Sequence, residues 1–411
     1  MTWEREYRQL RQQLSTAFPL VDRRDFGNAE GLPPPNKPET LHLVRSETLP
    51  QLFDYQEDLV HQVQEVISDR SAALLSLPTG GGKTRAGVAS VLNSMSSNEC
   101  SRVAWLAPSV ELLDQAMGAF TSVWRDFGSA PDIILSRREA RRGENLIWLT
   151  TPQAVHAALS RSRSLGQWNM VLFDEAHQLG ARTYKAAVQA LRAGTETALL
   201  GLSATPGRTS AEETSELVEL FGGRLLRSRR LGANPVAALQ RRGVLARLRF
   251  RRFSERQVAK DNEAERIGIA ARAARELFRR GRHLLVFSAS VAGAHLLQDI
   301  LQGMEVPAQA VDASFSDADR ATAINAFATH ETAVLINQRL LSTGYDCPTV
   351  TDVFLLAEIG SAILFEQMVG RAARGPRTGG SRIATIWEFD DHLSLHGLPS
   401  SYYRYRDYDW S

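Results

Sequence analysis

Residues 76–87 read SLPTGGGKTRAG: three glycines, then Lys83 and Thr84, between the apolar run Ala72–Leu75 and a segment of helical character. A strand that stops at glycines and restarts as a helix has two readings. One is a phosphate cradle. Glycines let backbone N–H groups close around an anion, and the N-terminus of the next helix points at the same anion. The other is an ordinary Gly-rich turn. In the first reading the loop Thr79, Gly80, Gly81 and Gly82 wraps phosphates, Lys83 reaches the β- and γ-phosphates, and the Thr84 hydroxyl holds Mg2+. The loop departs from the strict pattern GxxxxGK[ST] at its first glycine and keeps the second half.

The stretch MVLFDEAH, Met170 to His177, bears on the choice. Four apolar residues predict a buried strand, with two carboxylates at its C-terminal end, where open α/β sheets bind ligands. Asp174 would hold Mg2+ through water, and Glu175 would orient and deprotonate an attacking water. A plainer reading makes Asp174 the cap of a following helix. The Gly-Lys-Thr loop upstream favours the first.

The rest of the chain bounds the class. With 411 residues, 43% hydrophobic and 23% charged, it has material for two or three domains. The first residues, MTWEREYRQLRQQL, show no apolar core of a signal peptide, and no run of 18 apolar residues predicts a membrane span. Two distant cysteines, Cys100 and Cys347, exclude a disulfide framework and fit a reducing cytoplasm. Net charge is only +2, and just four of the 48 basic residues are lysines (Lys37, Lys83, Lys185, Lys260). Genomic base composition accounts for that bias, yet a lysine inside the glycine loop stands out against it.

Alternation of apolar runs and amphipathic segments predicts strands at 72–75, 102–107, 146–149, 169–173 and 197–201, with helices at 83–95, 110–126, 152–160 and 182–192. It resumes with strands at 283–287, 308–311, 332–336, 351–355 and 382–387, and helices at 261–280, 290–302, 317–328 and 361–370. Such alternation predicts α/β domains with parallel sheets. The expected organisation is an N-terminal helix (3–17) and Pro-rich connector over 1–48, a first domain over 49–225, a basic linker over 226–260, a second domain over 261–395 and an aromatic tail over 396–411. Eleven arginines fall between residues 224 and 256. They would contact phosphates or coat the solvent face of an interdomain helix.

Seven further motifs fall in order around the glycine loop and DEAH, and with them the chain resembles the superfamily 2 helicases. LFDYQ (52–56) resembles an adenine-reading motif in which Gln56 bonds the adenine edge and Tyr55 shapes the pocket. DEAH stands in the Walker B position. AWLAPSVELLDQ (104–115) is similar to motif Ia, TTPQA (150–154) to Ib and SATP (203–206) to III. LVFSASVAGAHLL (285–297) is similar to motif IV, STGYDCPTV (342–350) to V and EQMVGRAARG (366–375) to VI. The resemblance implies two tandem RecA-like domains with an ATP site in the cleft between them. It implies ATP and Mg2+ as cofactors, with Gly344 and Asp346 near the nucleotide, and His177, Ser203 and Thr205 coupling nucleotide state to grip. A helix over 363–374 would carry Gln367, Arg371 and Arg374 on one face, the arginines acting on developing γ-phosphate charge.

Nucleic acid would contact Pro108, Ser109, Thr151, Pro152, Ser288, Ser290, Ser342 and Thr343, groups that hold phosphates without reading sequence. Thr151 serves equally well as a helix cap. The loop PTGGGKT, the segment STGYDCPTV and the basic linker resemble the DNA-directed branch: type I restriction motors, the XPB group and RadD-like bacterial helicases. That implies a DNA helicase or translocase of bacterial repair, recombination or defence. The alternatives are an RNA-dependent ATPase and an ATP-switched subunit that works with a protein partner such as a nuclease.

Overall fold

Strands buried on both faces of a parallel sheet need an apolar residue at nearly every position, and several runs in this chain supply one. The computed structural model describes residues 3–14, 17–18, 40–43, 52–125, 133–138, 145–161, 165–193, 196–208, 210–253, 258–259, 262–342, 348–389 and 396. The chain divides into two compact units, one built on Lys37–Ala238 and one on Leu239–Pro399 joined by the N-terminal Met1–Asn36. Both are parallel-sheet α/β domains.

The chain starts with helix α1 (Trp3–Leu14). The first unit then follows as β1 (Thr40–Leu43), α2 (Asp54–Ser68), β2 (Ala72–Ser76), α3 (Lys83–Ser96), β3 (Arg102–Leu106), α4 (Val110–Arg125), β4 (Ile133–Ser136) and β5 (Leu146–Thr150). It continues as α5 (Pro152–Arg161), β6 (Met170–Asp174), α6 (Arg182–Arg192), β7 (Ala198–Ser203), α7 (Ala211–Leu220) and β8 (Leu225–Leu226), with α8 (Pro235–Arg241) next in the chain. Its eight strands run β1-β4-β5-β3-β6-β7-β2-β8, parallel except for the β1–β4 pair. Strands β5, β6 and β7 are buried at every residue. Within β7 the site of Gly201 admits no side chain: a Cβ there would lie 2.4 Å from Phe221 and 2.7 Å from Leu74.

This order places β6, β7 and β2 side by side. Their C-terminal ends carry Asp174, Ser203 and the glycine loop, so three motifs far apart in sequence become neighbours at one sheet end. The ends of β3 and β5, which precede Pro108–Ser109 and Thr151–Pro152, lie in the other half of the same sheet.

The second unit contains β9 (Arg247–Arg252), α9 (Glu263–Arg279), β10 (Leu284–Phe287), α10 (Val291–Gly303), β11 (Ala308–Val311) and α11 (Asp317–Ala328). It ends with β12 (Val334–Asn337), β13 (Asp352–Leu355), α12 (Ala362–Gly370) and β14 (Ile383–Glu388). All six strands are parallel, in the order β11-β12-β10-β13-β14-β9.

Three features differ from the sequence reading. Helix α1 (Trp3–Leu14) is part of the second unit's core, whereas the sequence reading set it with the connector over 1–48. Tyr7, Leu10, Leu14 and Phe18 pack with α9 and α10, the Tyr7 hydroxyl hydrogen-bonds Asp299, and Trp3 stacks on His295 at 4.7 Å. The stretch expected as a basic linker, 226–260, contains α8 and β9. In β9 the apolar Leu248 and Phe250 alternate with arginines and pack on the core beside Phe365. The arginine run hid that two-residue period. Finally, α12 ends at Gly370, where the 361–370 reading put it, so Arg371 and Arg374 lie beyond the helix and not on it as the 363–374 reading required. Residues 373–377 turn away to pair with 243–246: Ala246 N–H donates to Ala373 O (2.9 Å), Gly375 N–H to Val244 O (2.9 Å), and Leu245 bridges Arg374. Gly375 makes this possible, since a Cβ there would meet Gly243 O at 2.4 Å.

Candidate active site

The glycine loop leaves β2 and enters α3 through Gly80 and Gly82, both at φ +86°. That left-handed conformation suits glycine best, since it has no Cβ to crowd the backbone. A second constraint holds Gly82: a Cβ would come within 2.3 Å of the Gln56 side-chain nitrogen. Gln56, at the start of α2 and 2% exposed, braces the loop. Its Oε1 accepts from the Phe53 N–H (3.0 Å), and its Nε2 donates to the Gly81 and Gly82 carbonyls (3.5 and 3.4 Å). The Tyr55 hydroxyl donates to Gly81 O at 3.0 Å. Both residues therefore touch the loop itself; reading an adenine edge with Gln56 would exchange some of these bonds.

Lys83 and Thr84 open α3. The Lys83 ammonium lies 3.7 Å from Glu175 Oε1, and both side chains are about nine-tenths buried. The Thr84 hydroxyl donates to Asp174 Oδ2 at 3.4 Å. Asp174 closes β6, and its other oxygen accepts the Glu175 N–H at 2.9 Å. It caps its own successor's amide rather than a long helix. Burial pushes the Asp174 carboxyl up from its ordinary range, and the Glu175 charge adds to the rise; Lys83, the Glu175 N–H and the Thr84 hydroxyl oppose it. A carboxylate in that position is stabilised by any cation brought beside it.

Glu175 sits at φ +55°, unusual for a side-chain-bearing residue and a form of strain that collects at functional sites. The twist turns its carboxylate from Lys83 on one side to His177 on the other, where Oε2 lies 3.3 Å from Nδ1. His177 Nδ1 is in turn 3.4 Å from the Ser203 hydroxyl at the end of β7. Ser203 donates to Thr205 O (2.7 Å) and accepts from Thr205 N–H (3.1 Å). A continuous polar line thus runs Lys83–Glu175–His177–Ser203–Thr205. Arg208 is a neighbour that sequence reasoning passed over. It pairs with Glu213 at 3.4 Å and lies against Gly180, where a Cβ would overlap its guanidinium. Its position two residues after SATP was the available signal.

The remaining candidates are less concentrated. Ser109 and Thr151 act as local caps, accepting from Leu112 N–H (3.4 Å) and Ala154 N–H (3.2 Å) beside Pro108 and Pro152. Ser290 caps α10, accepting from Gly293 N–H (2.9 Å), and donates to Glu263 (2.8 Å). The Ser288 hydroxyl is buried without a partner among the described residues. Gln367 is buried on α12. Its carbonyl accepts from Arg371 Nε at 3.2 Å, so Arg371 folds back along the helix end while Arg374 lies in the bridge beyond it. Ser342 ends a short 3-10 turn; Thr343, Gly344 and Asp346 fall outside the described residues.

Comparison with known proteins follows these units. The family model "Type III restriction enzyme, res subunit" matches residues 49–208, and "Helicase conserved C-terminal domain" matches residues 270–376. No curated protein matches. Among solved structures, Saccharomyces cerevisiae Dbp5 bound to RNA and ADP BeF3 aligns at TM-score 0.58 and 17% identity, over 84% of this chain and 90% of that one. A putative HsdR subunit fragment of a type I restriction enzyme from Vibrio vulnificus aligns at 0.59 and 20%, over 87% and 66%. Mycobacterium smegmatis helicase Lhr bound to ssDNA and AMP-PNP aligns at 0.60 and 17%, over 83% of this chain and 46% of its own length. These identities carry the fold.

Proposed function

We propose that this chain, which belongs to superfamily 2 of the helicases, is a nucleic-acid-stimulated ATPase that moves along DNA in bacterial repair, recombination or defence. One observation carries the catalytic half: Lys83 meets Glu175 at 3.7 Å while Thr84 bonds Asp174 beside the Gly80–Gly82 turn. A Cβ at Gly82 would strike the Gln56 amide that braces this turn. One buried carboxylate and one hydroxyl suit Mg2+, which keeps waters and takes its other ligands from substrate phosphates. Bound MgATP would supply the phosphoanhydride bond and the metal's charge.

The chain's own groups supply the rest. Loop N–H groups between Thr79 and Thr84 other than that of Gly81, which donates to the Pro78 carbonyl at 2.8 Å, would hold phosphate oxygens, and Lys83 would neutralise those of the β- and γ-phosphates. Glu175 would orient the attacking water and take its proton. Its contacts to Lys83 and His177 leave the carboxylate held from both sides. His177, Ser203 and Thr205 would pass a change at Glu175 to the end of β7. Gln367, Arg371 and Arg374 are the second unit's candidates for countering γ-phosphate charge, with Gly344 and Asp346 beside the nucleotide. Tyr55 and Gln56 would adjust the loop to the base.

DNA as the track rests on the restriction-enzyme family model and on the likeness to restriction motors. The phosphate contacts proposed are Pro108, Ser109, Thr151 and Pro152 in the first unit and Ser288, Ser290, Ser342 and Thr343 in the second. The likeness to RNA-bound Dbp5 favours a second reading, an RNA-dependent ATPase. A protein partner such as a nuclease, and a cytoplasmic site of action suggested by two distant cysteines, complete the proposal. Among the described residues no helix is long and apolar enough to cross a membrane.

Steady-state phosphate release alone and with single-stranded, duplex and forked DNA and with RNA tests this reading. Stimulation by a DNA form supports it and identifies the track. Stimulation by RNA only transfers the assignment to the second reading, and a flat response to every form contradicts both.

A further inference from the structure

Strand β9 closes one edge of the second unit's sheet, and its sequence RLRFRR alternates from Arg247 to Arg251, with Arg252 breaking the pattern at the end. Leu248 and Phe250 turn to the core, while Arg247, Arg249 and Arg251 are exposed on the opposite face. A strand rises about 3.3 Å per residue, so successive arginines stand roughly 6.6 Å apart. Each strand of duplex DNA rises roughly 3.4 Å of axis per phosphate, and because the backbone also winds about that axis its neighbouring phosphates stand farther apart than this, a spacing of the same order as the arginine row.

The charges in this row are not cancelled from within the sheet. The residues opposite them on β14 are Ile383, Thr385 and Trp387, with no carboxylate among them. The next carboxylate inward, Asp352, is engaged by Arg282 at 2.7 Å and by the Trp387 indole N–H at 2.9 Å. Among the described residues Arg247 and Arg249 have no ion pair, and Arg251 lies over the Trp387 ring at 5.7 Å. Arg382, also exposed, adjoins the start of the row, its carbonyl accepting the Arg247 N–H at 2.9 Å. The strand is parallel to β10 and three inter-strand steps away, about 14 Å at usual spacing. Its C-terminal end therefore faces the same way as the end of β10 that carries Ser288 and Ser290.

We propose that the Arg247–Arg249–Arg251 row of edge strand β9 is an auxiliary phosphate-backbone contact for the nucleic acid on which the chain acts, separate from the contacts at the strand ends. The inference rests on the nucleic-acid reading above. The occupant is a phosphate backbone rather than an acidic protein, because the guanidinium row matches a regular line of anions and the flanking Trp387 offers a ring beside it. Guanidinium groups bind phosphate bidentately, and contacts of this kind add affinity without sequence preference. The competing account is a charged edge that deters strand pairing.

The test uses the full chain with Arg247, Arg249 and Arg251 all replaced by Gln, and a second variant with all three replaced by Lys. Binding of a fluorescein-labelled forked DNA is followed by anisotropy across a salt series, beside basal ATPase and thermal melting. The expected result is a log K against log salt slope shallower by about 0.9 per lost arginine, so by 2 to 3 in the Gln variant. The Lys variant keeps most of the slope, and basal ATPase and melting do not change. An unchanged slope in the Gln variant, where wild type binds, overturns the arginine row and leaves the motor reading intact. So does a loss of melting temperature shared by the Gln and Lys variants, which marks a structural role. A wild type that neither binds nor responds to DNA or RNA overturns the motor reading, and the row with it.

Discussion

The two units hold their polar groups in different ways. In the first, the ends of β6, β7 and β2 lie side by side, and side chains lock one another: Thr84 to Asp174, Lys83 to Glu175, Glu175 to His177, His177 to Ser203. In the second, Arg371 and Arg374 lie past the end of α12 on a turn fixed by backbone pairing with residues 243–246. A side-chain network in a buried sheet end is rigid before any ligand arrives. Here the backbone pairing sets where the two arginines stand, and Arg371 Nε also bonds the Gln367 carbonyl at 3.2 Å, so both units hold charged groups in place before charge develops in a reaction.

That contrast can be broken at several points, taken from the largest expected effect downward. Arg371→Ala should lower kcat on the order of 10³-fold if Arg371 meets the γ-phosphate, with ATP binding little altered; phosphate release and nucleotide titration separate the two. Arg374→Ala, compared in the same assay, shows which arginine carries the effect. Glu175→Gln should lower turnover by about 10²–10⁴-fold through loss of the general base. It should also tighten nucleic-acid binding in the presence of ATP, and binding that is indifferent to ATP would remove the coupling assigned to the Glu175–His177–Ser203 line.

Gly82→Ala probes the cradle. The left-handed φ of +86° costs a residue with a side chain about 1–2 kcal/mol, and the new methyl would press on the Gln56 amide 2.3 Å away. A rise in KM for ATP of about tenfold is expected. Adding Gln56→Ala should recover only the steric part. The smallest effect concerns His283 in the second unit, whose ring stacks on Phe327 and bonds Thr349 and Thr332. Burial first, and the neighbouring His330, push its imidazole down from 6.5 to about 4. The unfolded chain therefore takes up this proton before the folded one does. Stability from this site is full above about pH 6.5 and declines as pH falls towards 4. Melting temperatures of wild type and His283→Gln should converge in slope above that window and differ within it.

Much of the first unit was legible in its sequence, because continuous apolar runs and a glycine break are local signals. The turn at Gly80–Gly82 and the carboxylates ending β6 could be placed from residue types alone. What escaped has physical reasons. Strand β9 was obscured because arginines at every second position dominate the composition while Leu248 and Phe250 do the packing. The pairing of residues 373–377 with 243–246 depends on Gly375 meeting Gly243, a contact no local pattern encodes. The docking of α1 joins Tyr7 to Asp299 across most of the chain. Helix α2, read only as a motif, also covers the sheet through Leu59, Val63 and Val66. Gln56 appeared as a base reader, and its role in bracing the loop needed the three-dimensional approach of α2 to Gly82.

The most direct test of the central claim is ATP turnover by Lys83→Ala beside the wild type, at saturating nucleic acid and matched thermal stability. The arrangement predicts that phosphate release falls to background while the melting temperature stays close to that of the wild type. Turnover at the wild-type rate in the folded variant would contradict the assignment of the Gly80–Thr84 loop as the phosphate site.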